Sequence, residues 1–256
     1  MGSYAEYPPR EDLRPWVRLT WIYEDDAPSQ TVQRIAPDGC PELIVHLAEP
    51  YEELMPDGGF VPQPRVILAG QMTRPIALRA TGPVKCIALR FEPDGAVDWL
   101  GRDMDEATDQ RLDVSERLDV RGVSDAAACR LLLEDDVAGR MQDAGASLDL
   151  DVRAEIKRLV AGTEADRSSA DQRRMQRLFL KHVGVAPRML QSIFRFRKVF
   201  DHAVGAGASW IDASLAAGYF DQPQMARDFR RFLDCTATEW AREQVELARS
   251  IAAAPS

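Results

Sequence analysis

The sequence predicts an α+β fold: a β-rich N-terminal half with a helical extension, then an all-α half holding two helix-turn-helix units joined by a long helix. Three observations carry this. Short apolar runs separated by turn clusters fill residues 14–100, apolar residues recur at helical spacing from 149 onward, and one helix-start motif occurs twice, fifty residues apart. The chain has 256 residues, 45% hydrophobic and 29% charged. That length suits two modest domains, divided here into 1–147 and 148–256.

In the first half the apolar runs are Trp16–Tyr23, Leu43–Leu47, Val66–Ala69, Ile76–Leu78 and Val84–Phe91. Pro37-Asp38-Gly39, Pro56-Asp57-Gly58-Gly59, Thr81-Gly82-Pro83 and Pro93-Asp94-Gly95 stand between them as turns, so a sandwich or barrel is expected. The acidic run Glu24-Asp25-Asp26 and the Pro-rich segment 56–64 read as solvated loops. From 96 to 142 the pattern turns helical through Leu112, Leu118, Val123, Ala127, Leu131 and Leu132, and residues 143–147 form a linker.

In the second half Ile156, Leu159 and Val160 mark the apolar face of a first helix. A long helix follows Pro187, with Met189, Ile193, Phe196, Phe200 and Val204 as one buried stripe, Arg195, Arg197 and Lys198 on its other face, and Gly205 and Gly207 at its end. Trp210–Ala217 is a short helix stopped by Gly218, and the last helices span about 222–233 and 237–249.

Charge separates the two halves. The net charge is −9, yet residues 1–150 hold 15 basic and 28 acidic side chains, a net of −13, while 151–256 hold 17 and 13, a net of +4. Within 167–231 the balance is 12 to 5, a net of +7, which suits a segment that meets an anion. No run of about 18 apolar residues exists, so no membrane partner is expected. Met1–Arg10 lacks the apolar core of a secretory signal, and Cys40, Cys86, Cys129 and Cys235 are scattered, as reduced thiols in a cytoplasm would be.

The repeat sets Asp171-Gln-Arg-Arg-Met-Gln-Arg-Leu-Phe179 beside Asp221-Gln-Pro-Gln-Met-Ala-Arg-Asp-Phe229, with five of nine positions identical. Asp171 and Asp221 are expected as N-caps, and Met175/Phe179 and Met225/Phe229 as buried i,i+4 pairs. Arg173, Gln176, Gln222, Gln224 and Arg227 then point outward from the start of each helix. Arg pairs bidentately with guanine and Gln with adenine, and helix N-termini attract phosphates, so the expected partner is double-stranded DNA. Two such helices could enter major-groove segments roughly 34 Å apart. Trp210–Ala217, the turn Gly218-Tyr219-Phe220 and the helix after Asp221 complete a helix-turn-helix in the second unit.

On Met175–Phe179 with Gly184-Val-Ala-Pro187, on Ala217-Gly-Tyr-Phe-Asp-Gln222, and on Arg227-Asp-Phe-Arg-Arg231, the chain resembles the AraC/XylS family of transcription regulators over about 150–242. The resemblance implies two helix-turn-helix units on adjacent major-groove segments. It makes Arg173, Gln176, Gln222 and Arg227 candidate base readers, and Arg177, Arg230 and Arg231 phosphate contacts or structural pairs. The chain departs from the family where a scaffold helix should precede the first recognition helix: residues 161–169 are short and lack an apolar face, and Ser168-Ser169 stand opposite Gly218-Tyr219. Asp234 and Ala237 replace the usual Gly and Pro after the second recognition helix.

The first half is similar to the sensor-type domains attached to such regulators, through Pro37–Ile44, Gly70–Pro75 and Ala88–Gly95. The resemblance implies a cupin-like barrel or jelly roll that senses a small-molecule effector or mediates homodimerisation. Glu42 and Arg90 are polar groups of a sensor pocket, or else form a structural ion pair or line the surface. An enzyme is not expected. Glu42 and His46 have no further histidine in 1–150 to complete a metal site, and no P-loop, G-x-S-x-G or G-x-G-x-x-G occurs, so no cofactor is expected either. The alternative is a ligand- or protein-binding module whose first helix-turn-helix is degenerate and whose DNA binding is lost.

Overall fold

A computed structural model describes residues 2–163, 168–206, 210–240 and 242, with the backbone alone described at 200, 201, 203–206, 210 and 211. Among the described residues these strands and α-helices follow one another: β1 (Ser3–Tyr7), β2 (Val17–Asp25), β3 (Gln33–Ile35), β4 (Glu42–His46), β5 (Glu52–Leu54), β6 (Phe60–Pro62), β7 (Val66–Ala69), β8 (Ile76–Arg79), β9 (Val84–Phe91), α1 (Val97–Leu100), β10 (Arg111–Asp113), α2 (Ala126–Asp143), α3 (Leu150–Ala161), α4 (Ser169–Val183), α5 (Pro187–Ala206), α6 (Trp210–Ala216) and α7 (Gln222–Leu233). The strands form two open antiparallel sheets, of order β1-β2-β9-β4-β7-β10 and β3-β8-β5-β6. The result is the α+β architecture read from the sequence.

Each of the five apolar runs of the first half supplies a strand, and β4, β7 and β9 each bury at least three of their residues. Leu43 and Val45 on β4 and Ile87, Leu89 and Phe91 on β9 pack against Cys129, Leu133 and Val137 of α2. The helical extension therefore covers one face of the large sheet. Its extent is smaller than expected: Leu112 lies in β10, paired with Leu68 of β7, and Leu118 precedes the helix, whose start is set by the Asp125 carboxylate accepting from the Ala128 N–H. The segment 56–64 is also more than a loop. Residues 60–62 are β6, joined to β5 by a tight turn in which the Met55 N–H donates to the Gly59 carbonyl.

In the second half Val152, Ile156 and Leu159 of α3, Met175, Phe179 and Val183 of α4, and Leu190 and Phe194 of α5 form one cluster. Val160, expected on the buried face of α3, is exposed. Ile193, Phe196 and Val199 on the facing side of α5 join Ala213, Ala217, Tyr219, Met225, Phe229, Phe232 and Leu233 in another. α5 is thus the shared wall of two small helical cores. The side chains of Phe200 and Val204, placed on the same stripe, lie outside the described residues, as does Gly207. Residues 237–240 are helical, opened by a reciprocal cap between Thr236 and Glu239, and the rest of the helix expected to 249 lies outside the described residues except 242.

Candidate nucleic-acid interface

α4 is the exposed helix of the first unit. Met175, Phe179 and Val183 are buried, and Arg173, Gln176 and Arg177 are exposed. The start of α4 differs from the expectation. Ser168, not Asp171, is the N-cap: its Oγ accepts from the Asp171 N–H at 3.2 Å and donates to Asp171 Oδ2 at 2.6 Å. Asp171 closes this cap from the helix's third position, so Arg173 and Gln176 sit three residues deeper than their counterparts in the second unit. Residues 162–168 separate α3 from α4, and 164–167 of them lie outside the described residues. Arg174 is turned away to Asp151, at 2.7 Å.

The second unit is complete. α6 ends at Ala216, two residues before Gly218 with its φ of +86°, and the chain then splits its two aromatic residues. Tyr219 is 4% exposed and its hydroxyl donates to Asp228 Oδ2 at 2.8 Å. Arg195 of α5 donates to the same oxygen at 3.0 Å and lies over the Tyr219 ring, tying the long helix to the turn and to α7. Burial raises the Tyr219 pKa, with the Asp228 carboxylate adding to the effect, so the hydroxyl stays a donor. Arg195, placed by sequence on the free face of α5, is therefore structural, and Lys198 donates to the Val160 carbonyl at 2.8 Å.

α7 begins at Asp221, whose Oδ1 accepts from the Gln224 N–H at 2.7 Å, with Pro223 in the first turn. Gln222, Arg227, Arg230 and Arg231 are exposed, the last two in the final turn. Gln224, expected to point outward, is half-buried, and its Oε1 accepts from the Phe220 N–H at 3.2 Å. Its carbonyl is engaged in holding the helix start. No acidic residue follows the cap in the first turn, so only the Asp221 cap offsets the positive end of the helix dipole beside Gln222. Sequence reasoning passed over Phe220, which is 92% exposed at this end of the helix.

In the first half Glu42 and Arg90 are direct cross-strand partners. Arg90 Nε donates to Glu42 Oε1 at 2.6 Å, Arg90 Nη2 lies 3.2 Å from Asp38 Oδ2, and Trp21 Nε1 donates to Glu42 Oε1 at 2.9 Å. Of the two sequence readings, this geometry is that of an ion pair. Burial raises the Glu42 pKa, against the opposing pull of Arg90. All four cysteines are buried, and among the described residues no three His, Cys, Asp or Glu groups converge as metal ligands. No described helix is long and apolar enough to cross a membrane.

A model of a helix-turn-helix domain, of the AraC type, matches residues 165–243, and one of a domain of unknown function, DUF6597, matches residues 5–113. No curated protein matches the chain by sequence. Among solved structures, the apo form of a lysine-to-alanine variant of ToxT from Vibrio cholerae is similar at 12% identity and a TM-score of 0.46, over 86% of this chain and 96% of that one. ToxT bound to (E)-4-(8-methylnaphthalen-1-yl)but-3-enoic acid is similar at 10% identity and 0.46, over 93% and 98%. Unsaturated-fatty-acid-bound ToxT is similar at 11% identity and 0.42, over 94% of each chain.

Proposed function

We propose that this chain, whose residues 165–243 make up an AraC-type helix-turn-helix domain, is a transcription regulator that binds double-stranded DNA sequence-specifically through residues 148–256. The observation that carries the reading is α7: a capped helix on a buried Met225/Phe229 face, with Gln222 and Arg227 exposed near its start and Arg230 and Arg231 near its end. Gln222 and Arg227 read base edges, and Arg230 and Arg231 neutralise phosphates. Gln224 positions the helix start. In the first unit Arg173, Gln176 and Arg177 add contacts of the same kinds from α4. Residues 1–147 sense a small molecule or mediate dimerisation. Glu42 and Arg90 act there through the ion pair that holds Asp38 rather than as free pocket groups.

Selection of genomic fragments with the purified full chain, at low and at physiological salt, tests this. One shared motif is expected, with affinity falling steeply as salt rises. Arg227→Ala should weaken binding to that motif by about 1–3 kcal/mol while the fold is kept. A second reading, a protein-interaction module, draws on the sequence of 161–169 before α4, which is short and lacks an apolar face. It predicts no shared motif at either salt.

A further inference from the structure

Phe220 is a large apolar side chain that the second unit holds in water. Its neighbour Tyr219 is buried, so the turn is able to place an aromatic ring in the core, and at 220 it does the opposite. The backbone there is held by two bonds that share Gln224: its N–H donates to Asp221 Oδ1 at 2.7 Å, and its Oε1 accepts from the Phe220 N–H at 3.2 Å. The ring therefore projects from a rigid base, one residue before the cap of α7 and two before exposed Gln222. Isolated exposed hydrophobic residues are common. This one stands at the start of the helix that leads into the groove, two residues before Gln222, which the proposed function makes a base reader.

The major-groove edge of a base pair carries one apolar feature, the 5-methyl group of thymine. Arg and Gln read hydrogen-bond donors and acceptors, and neither distinguishes that methyl. We propose that Phe220 is a specificity-determining residue that reads a thymine 5-methyl group in the major groove. The assignment rests on the proposed DNA-binding function and adds to it a base class and a contact type. The ring reaches the base edge as α7 docks, with only two side-chain torsions to order, and water leaves both apolar surfaces.

The test uses the full chain and the duplex recovered by selection. Each thymine is replaced singly by deoxyuridine, which keeps the base pair and removes only the methyl. At one thymine of the segment bound by α7, the replacement should weaken the wild-type protein about fourfold, the equivalent of one methyl group removed from water. Phe220→Ala should bind the thymine duplex about as weakly as the wild type binds the deoxyuridine duplex, and should not distinguish thymine from deoxyuridine there. Phe220→Leu should keep part of the discrimination. The proposal fails if no thymine has a penalty that depends on residue 220, or if Phe220→Ala weakens all duplexes equally, as a ring on sugar and phosphate would. It also fails if Phe220→Ala leaves the affinity unchanged. If the wild-type protein enriches no motif, the DNA-binding reading itself is wrong and this assignment falls with it. An unchanged melting temperature of Phe220→Ala separates these outcomes from misfolding.

Discussion

His46 is 2% exposed on β4, its Nδ1 3.2 Å from Cys86 Sγ, and burial lowers its pKa to about 4. The folded protein thus takes up a proton here later than the unfolded chain, whose histidine titrates near 6.5. The contribution to stability is whole above about pH 6.5 and is lost as pH falls toward 4. Between pH 7 and 5 the loss should be roughly 2 kcal/mol. Urea unfolding at the two pH values reads it, and His46→Asn should show a shallower pH dependence. Equal slopes would mean that His46 titrates as freely in the fold as out of it. The apolar run around His46 made its packing role legible. The Glu42–Arg90 pair was legible only as one of two readings, because strand register, which sequence does not print, decides whether the two face each other. Gln224 was misread for a related reason. A glutamine three residues after an N-cap either reaches outward or folds back on the turn, and only the local geometry selects.

Helices were the more legible elements, since Met175/Phe179 and Met225/Phe229 repeat at a spacing that only a helix makes continuous. Their starts were less so. Ser168 and Asp171 are both good caps three residues apart, and the match to Asp221 favoured the wrong one. β1 shows no alternation to read, being exposed at every position, and β3, β5, β6 and β10 have three residues each. The end of α7 carries a testable cost. Asp234 closes the helix at a φ of +54°, a left-handed conformation that glycine adopts freely and other residues resist, and its charge sits at the negative end of the helix dipole. Asp234→Gly should stabilise the protein by about 1 kcal/mol, read as a raised melting temperature. The sequence preference should stay the same, because α7 sets Asp234 about 18 Å from Gln222, while overall affinity should rise as a negative charge leaves the neighbourhood of Arg230 and Arg231. A lower melting temperature would show that the Asp234 side chain contributes more than its backbone costs.

The charge asymmetry between the two halves was visible in the sequence, but the contacts that join them were not, because they link residues far apart along the chain. Gly184, at the end of α4, has a φ of +90°, and its carbonyl accepts from Thr108 Oγ1 at 2.6 Å; a Cβ there would stand 2.8 Å from the Met104 carbonyl oxygen. Gly39, whose carbonyl accepts from buried Gln71, would set a Cβ 2.7 Å from the Phe194 ring of α5. The loop holding Asp38 beside Arg90 therefore also lies against the helix shared by both helical cores. A polar link comes from Arg153 of α3, whose Nε and Nη2 reach Asp94 Oδ2 and Oδ1 at 2.9 and 2.7 Å while Nη2 donates to the Pro15 carbonyl at 2.7 Å. Asp94 is 3% exposed, and burial raises its pKa against the pull of Arg153. Arg153→Leu leaves that carboxyl buried without its cation, which should cost about 3–5 kcal/mol at pH 7. With the partner gone the folded pKa of Asp94 rises further above its unfolded value, so the unfolded chain releases the proton first and the deficit grows as pH rises through that window. The loss should shrink at pH 4.5, where the carboxyl can stay protonated, and adding Asp94→Asn should recover much of it at pH 7. Urea unfolding of the two variants at both pH values measures this. A deficit equal at the two pH values and unchanged by Asp94→Asn would mean that Arg153 joins the halves through the Pro15 carbonyl and its aliphatic packing, with Asp94 a bystander.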